Sequence, residues 1–118
     1  MKYFKDDELR CNCGCGRLKV DWNFATMLDK ARFEAGVTFI INSGYRCPTK
    51  NITVGGKPNS AHVKGMAVDI AAPNSHKRYW IIYGLMKAGF DRIGIGNGFI
   101  HADNDDTKPE GCVWTYYE

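Results

Sequence analysis

SGYRCPTKNITVGGKPNSAHVKGMAVDI, residues 43–70, is rich in Ser, Asn, Gly and Pro and then closes in a short apolar run that holds one aspartate, Asp69. Residues 44–64 read as one long loop, and a loop of about twenty residues inside a small domain is more often functional than accidental. The loop runs into AVDIA, residues 67–71, which reads as a strand. A carboxylate inside such a strand is costly to bury alone, so Asp69 needs a compensating partner. His62 stands at the end of the loop, and Gly65, between the two, lets the chain turn sharply.

Outward from that stretch, residues 37–42 are β-branched and aromatic and predict a buried strand that delivers the chain to Ser43. Before it, Asp21 can cap a helix in which Phe24, Met27, Leu28, Ala31 and Ala35 recur at helical spacing until Gly36. After it, Asn74 or Ser75 can cap a second helix through Tyr79, Trp80, Ile82, Tyr83, Leu85 and Met86 to Gly89. Residues 92–95, 99–102 and 113–117 are short strands, separated by Gly-Asn-Gly and by the polar stretch 104–111. Two helices and mostly hairpin-connected strands predict an α+β fold, a small, mainly antiparallel sheet flanked by helices.

Length and composition bound the rest. A chain of 118 residues, 44% hydrophobic and 25% charged, is composed like one soluble globular domain, here residues 1–118. MKYFKDDELR at the start lacks the apolar stretch of a signal peptide, and the longest largely apolar run, residues 37–41, is far too short to span a bilayer. Synthesis in the cytoplasm and no membrane insertion are expected. The net charge of +3, with Lys and Arg scattered, argues against a nucleic-acid groove and suits an anionic substrate. An odd cysteine count, Cys11, Cys13, Cys15, Cys47 and Cys112, does not look like a closed disulfide framework. These residues read as thiols; alternatively CNCGC with Cys47 binds a structural metal, although C-x-C-x-C is not the usual C-x-x-C knuckle.

A catalytic zinc needs three His or carboxylate ligands and an open fourth position. The chain offers three histidines. His76, beside Lys77 and Arg78 at a helix start, reads as a solvated surface residue. His101 is embedded in GFIHAD, with Asp103 on the same strand face because side chains alternate with period two. Two such strands side by side would bring His62, Asp69 and His101 onto one ion. Otherwise His62 is a loop histidine, Asp69 pairs with an arginine and His101 is a hydrogen-bonded core residue.

SGYR (43–46), the GG-x-x-x-S-x-H-x-x-G-x-A-x-D-I run (55–70), GIG (94–96) and FIHAD (99–103) together resemble the D-alanyl-D-alanine carboxypeptidase type of zinc metallopeptidase. FKDDELRCNCGCG (4–16) and VWTYY (113–117) are similar to the small peptidase domains of that family in phages and bacteria. The resemblance implies a hedgehog/DD-peptidase-like fold, Zn²⁺ as cofactor and His62, Asp69 and His101 as its ligands. It makes Arg46 the arginine that contacts substrate near the scissile carbonyl, and Ser60 a structural or ligand-orienting serine. One departure stands out: the acid that many members carry three residues before the last zinc histidine is here Gly98. Asp103 is then the first choice for general base, or else the partner that orients a zinc histidine; Asp105, Asp106 and Glu110 are further choices. Trp80, Trp114, Tyr116 and Tyr117 read as core or cleft-wall aromatics. The implied activity is hydrolysis of peptide bonds in peptidoglycan by a monomer acting on the cell wall, phage-encoded or bacterial. Its rival is a non-catalytic zinc-containing module that docks on the wall or belongs to a phage particle.

Overall fold

Alternation along the strands sets the architecture. In β2 (Ala67–Ala71), Val68 and Ile70 are fully buried, and in β4 (Phe99–Asp103) so are Ile100 and Ala102. Because successive side chains point to opposite faces, Asp69, Phe99, His101 and Asp103 all project from the other face. The apolar face is covered by two helices, α2 (Trp22–Ala35) and α4 (Ser75–Lys87), whose Phe24, Leu28, Ala31, Ile81 and Leu85 join the strands in one core. The polar face stays open. The computed structural model describes residues 1–116; Tyr117, expected in the last strand and among the aromatics, lies outside the described residues.

The sheet is five-stranded, in the order β1-β2-β4-β3-β5, with β1 (Ile41–Ser43), β3 (Arg92–Ile95) and β5 (Cys112–Thr115). Three of its pairings are antiparallel and the edge pair β3–β5 is parallel, so the fold is the expected α+β with a mainly antiparallel sheet. The predicted helices begin at their predicted caps: the Asp21 carboxylate accepts from Phe24 N at 3.0 Å, and Asn74 Oδ1 from Lys77 N at 2.9 Å.

Two expectations need correcting. The strand predicted over residues 37–42 is only Ile41–Ser43. The register with β2 shifts within these residues; Ile40 O still accepts from Ala71 N at 2.8 Å, but before it Phe39 turns into the core and the Thr38 carbonyl is taken by Lys77 Nζ at 2.8 Å. Hydrophobicity there serves packing rather than pairing. The loop 44–64 is also not structureless: it contains α3 (Pro48–Thr53), with Pro48 in the first turn and Cys47 Sγ accepting from Lys50 N at 3.4 Å. A further single turn, α1 (Asp6–Leu9), opens the chain.

Candidate metal centre

The β2–β4 register puts Asp69 directly opposite His101, with Asp69 Oδ1 2.9 Å from His101 Nδ1. His62 arrives on a turn of its own. Ser60 Oγ accepts from His62 N at 3.2 Å, and Ala61 O accepts from Lys64 N at 3.1 Å and Met66 N at 3.0 Å. Gly65 stands at φ 71°, and any Cβ there would run into the Lys19 carbonyl, while its own carbonyl accepts from Asp21 N at 2.9 Å. The glycine between His62 and Asp69 therefore serves both the turn and the close approach to the segment that enters α2. The result is one ligand-type atom from each of His62, Asp69 and His101, all within 4.8 Å of one another.

The hydrogen bonds around these atoms turn one nitrogen of each imidazole toward Asp69. His62 is 3% exposed, and its Nδ1 lies 2.7 Å from Gly44 O, which can only accept; that nitrogen carries the proton. Nε2 is then an acceptor, buried without a hydrogen-bond partner, although it is 3.3 Å from Asp69 Oδ1. A buried lone pair facing a carboxylate is unfavourable unless a cation lies between them. His101 has Asp69 Oδ1 on Nδ1 and Asp103 Oδ2 on Nε2, the latter at 2.7 Å. Burial works against its charged form, but the bonds to Asp103 and Asp69 outweigh this and raise its pKa. Burial likewise opposes ionisation of Asp69, yet the hydrogen bond from His101 outweighs it and holds its carboxyl below the usual range. The donor set of two imidazoles and a carboxylate, with the remaining ring nitrogens tied to Gly44 O and Asp103, fits a zinc ion open to solvent on one side.

That side is a cleft of about 530 Å³. Arg46, Lys57, Arg92 and Lys108 line it, and Phe99, Trp114 and Tyr116 form apolar wall. The Arg92 guanidinium lies over the Trp114 ring at 4.9 Å, and the His101 ring is 5.6 Å from Trp114, tilted at 50°. Trp80 instead packs with Tyr79 and Tyr83 on α4, away from this lining. Arg46 donates from Nε to Ser43 Oγ and from Nη1 to Asn51 Oδ1, both at 3.3 Å, and its Nη2 lies 3.6 Å from Asp69 Oδ2. Asn51, on α3 and 3% exposed, donates in turn to Lys57 O at 2.8 Å and so anchors the arginine. Sequence reasoning missed Asn51, because one amide in a polar stretch carries no pattern.

Asp103 is 2% exposed, with Oδ2 on His101 and Oδ1 accepting from Arg92 Nε at 2.7 Å and Asp105 N at 3.2 Å. Burial disfavours its ionised form, but the bonds from His101 and Arg92 keep its pKa below the usual value. Asp105 is buried against Lys64 at 2.9 Å and Lys108 at 3.2 Å, whereas Asp106 and Glu110 are exposed, and none of the three lines the cleft. Gly98 stands at φ 84° in the exposed turn between β3 and β4, off the cleft wall, where a carboxylate residue would be strained. His76 is exposed at the start of α4.

No curated protein matches the chain. The family model described as Peptidase M15 matches residues 2–103, from the N-terminal segment through the strand that carries His101 and Asp103. A match over most of the chain, joined to a ligand set of this kind, places the protein in the Peptidase M15 family of metallopeptidases, whose usual metal is zinc.

Proposed function

We propose that the protein hydrolyses peptide bonds in bacterial peptidoglycan, as a monomer acting on the cell wall, with one zinc ion held by His62 Nε2, Asp69 Oδ1 and His101 Nδ1. The observation that carries this reading is the buried, unpartnered Nε2 of His62, aimed at Asp69 and His101 on the floor of a cation-lined cleft. Zinc in such a site supplies Lewis acidity, which brings the pKa of a water toward neutrality and polarises a carbonyl. Asp103 accepts a hydrogen bond from His101 Nε2–H and so keeps Nδ1 available as a ligand, as Gly44 O, bonded to Nδ1–H, does for the Nε2 of His62. Arg46 presents a guanidinium edge to the cleft, suited to a substrate carbonyl and to negative charge developing on it. Ser60 holds the turn that presents His62 rather than touching the imidazole ring.

The positive lining suits an anionic wall peptide. If the bond cut is the terminal D-Ala-D-Ala, as in the carboxypeptidase type, one of these cations also pairs with the substrate's free carboxylate. Mass spectrometry of purified peptidoglycan after digestion tests both levels: free D-alanine marks the carboxypeptidase, and shortened stems or opened crosslinks mark an endopeptidase. Peptidoglycan left intact by zinc-loaded protein would overturn the catalytic reading. One observation favours the rival, a wall-binding module that does not cut. Among the described residues, the cleft wall carries no carboxylate besides Asp69 and Asp103, and both are engaged. That rival predicts equal pelleting with peptidoglycan for the native protein and His62→Ala, and no products from either.

A further inference from the structure

We infer a second metal site, a closed four-thiolate zinc site made by Cys11, Cys13, Cys15 and Cys47. Residues 11–17 form a small loop closed by Cys11 N donating to Arg17 O at 3.0 Å and tethered by Asn12 Nδ2 donating to Asn42 O at 3.0 Å. The loop brings its three sulfurs to Cys47, the residue that caps α3. Cys11 Sγ and Cys13 Sγ are 3.5 Å apart, Cys13 Sγ and Cys47 Sγ are 3.6 Å apart, and all four sulfurs lie within 4.8 Å of one another. Four sulfurs arranged tetrahedrally at about 2.3 Å from a zinc ion are separated by about 3.8 Å, so the cluster already approximates that cage. A disulfide requires about 2.05 Å, and all four cysteines are free.

The surroundings treat these sulfurs as acceptors. Cys47 N donates to Cys11 Sγ, Lys50 N to Cys47 Sγ and Arg17 N to Cys15 Sγ, each at 3.4 Å. Backbone N–H groups aimed at sulfur stabilise a thiolate and orient it, as the outer partners of metal ligands do. No histidine or carboxylate belongs to this cluster. An all-sulfur tetrahedron selects zinc among redox-inert metals and leaves no open position for substrate. Binding displaces the thiol protons and breaks no other bond. The ion would clasp the N-terminal loop to Cys47, next to Arg46, where Tyr45 N already donates to Leu9 O at 2.9 Å. It would brace the backbone that carries the cleft arginine. The site is independent of the His62, Asp69 and His101 centre and does not depend on the peptidase reading.

The test is metal content and zinc X-ray absorption on the full chain, purified anaerobically with zinc. One zinc per site is expected, with a sulfur shell at about 2.3 Å beside a nitrogen and oxygen shell at about 2.0–2.1 Å. His101→Ala should keep one zinc with the sulfur shell alone, and the double variant Cys13→Ser, Cys15→Ser should keep one zinc with the nitrogen and oxygen shell alone. Should the double variant not fold, cobalt(II) added to the zinc-free His101→Ala protein gives a second reading: an intense thiolate-to-cobalt charge-transfer band is expected. Native protein holding a single zinc with sulfur ligands only would sustain this site and count against the histidine centre. A native chain without a sulfur shell, a cobalt complex without the band, or a mass lowered by the hydrogens lost in a disulfide among these cysteines would overturn the inference.

Discussion

Asp103 has both carboxylate oxygens engaged, one on His101 Nε2 and the other on Arg92 Nε and the Asp105 amide, which suits an orienting role better than that of a proton acceptor. Asp103→Asn, nearly isosteric, should therefore weaken zinc binding by about ten- to a hundred-fold while the rate recovers in excess zinc. A rate that stays low at saturating zinc, with affinity intact, would make Asp103 the base after all. Arg46 makes the opposite prediction, since its contacts to Ser43 and Asn51 are at the long end of hydrogen bonding. Arg46→Ala should keep zinc and melting temperature but lose about a hundred-fold or more in kcat. Parallel losses of stability and rate would assign it a structural role. At this scale His62, Asp69 and His101 were legible because ionisable residues in apolar strands, or on the loop feeding one, demand partners. Asn51 was not, because its task is visible only once α3 has folded beneath Arg46.

Elements were legible where a cap and a period coincide, as in α2 and α4, and illegible where neither operates. Six residues, PTKNIT, are too few to show a helical period, so α3 was hidden inside the loop it organises. The connection between β4 and β5 was read as polar, with Asp105 among the further choices for a base, yet Asp105 is a buried carboxylate that pins the loop. Burial opposes ionisation of Asp105, but the bonds from Thr107, Lys64 and Lys108 outweigh it and leave its pKa below the usual range. A depressed folded pKa means that Asp105 stabilises the fold above its unfolded value, about 3.9, and that this stabilisation is lost as the pH falls through it toward the lowered one. Asp105→Asn should cost about 1–3 kcal/mol at neutral pH and progressively less below about pH 4. Denaturant midpoints of both proteins across that range check this. A cost that does not change with pH would mean that shape, not charge, holds the loop.

On the scale of the whole molecule, the sheet works as a partition. Residues of one parity, Val68, Ile70, Ile100 and Ala102, meet α2 and α4, and those of the other parity, Asp69, His101 and Asp103, face the cleft. The α+β class could be read from two helices at helical spacing and from short strands joined mostly by hairpin turns. The strand order β1-β2-β4-β3-β5 could not, because it depends on long-range pairing that leaves no local signal. A partition of this kind separates the two faces: the candidate ligands are fixed by the β2–β4 register and by the turn around Gly65, and the helices reach them only through the apolar face of the strands and through the bond from Asp21 N to Gly65 O at the start of α2. Leu85, fully buried on α4 and part of the core, tests this. Leu85→Ala should lower stability by about 2–5 kcal/mol, through lost burial and the cavity left behind. The folded fraction should still bind zinc with native affinity, measured well below the unfolding transition. If zinc affinity fell in step with stability, the helical layer would be holding the ligands in place through the sheet, and the two faces would have to be treated as one cooperative unit.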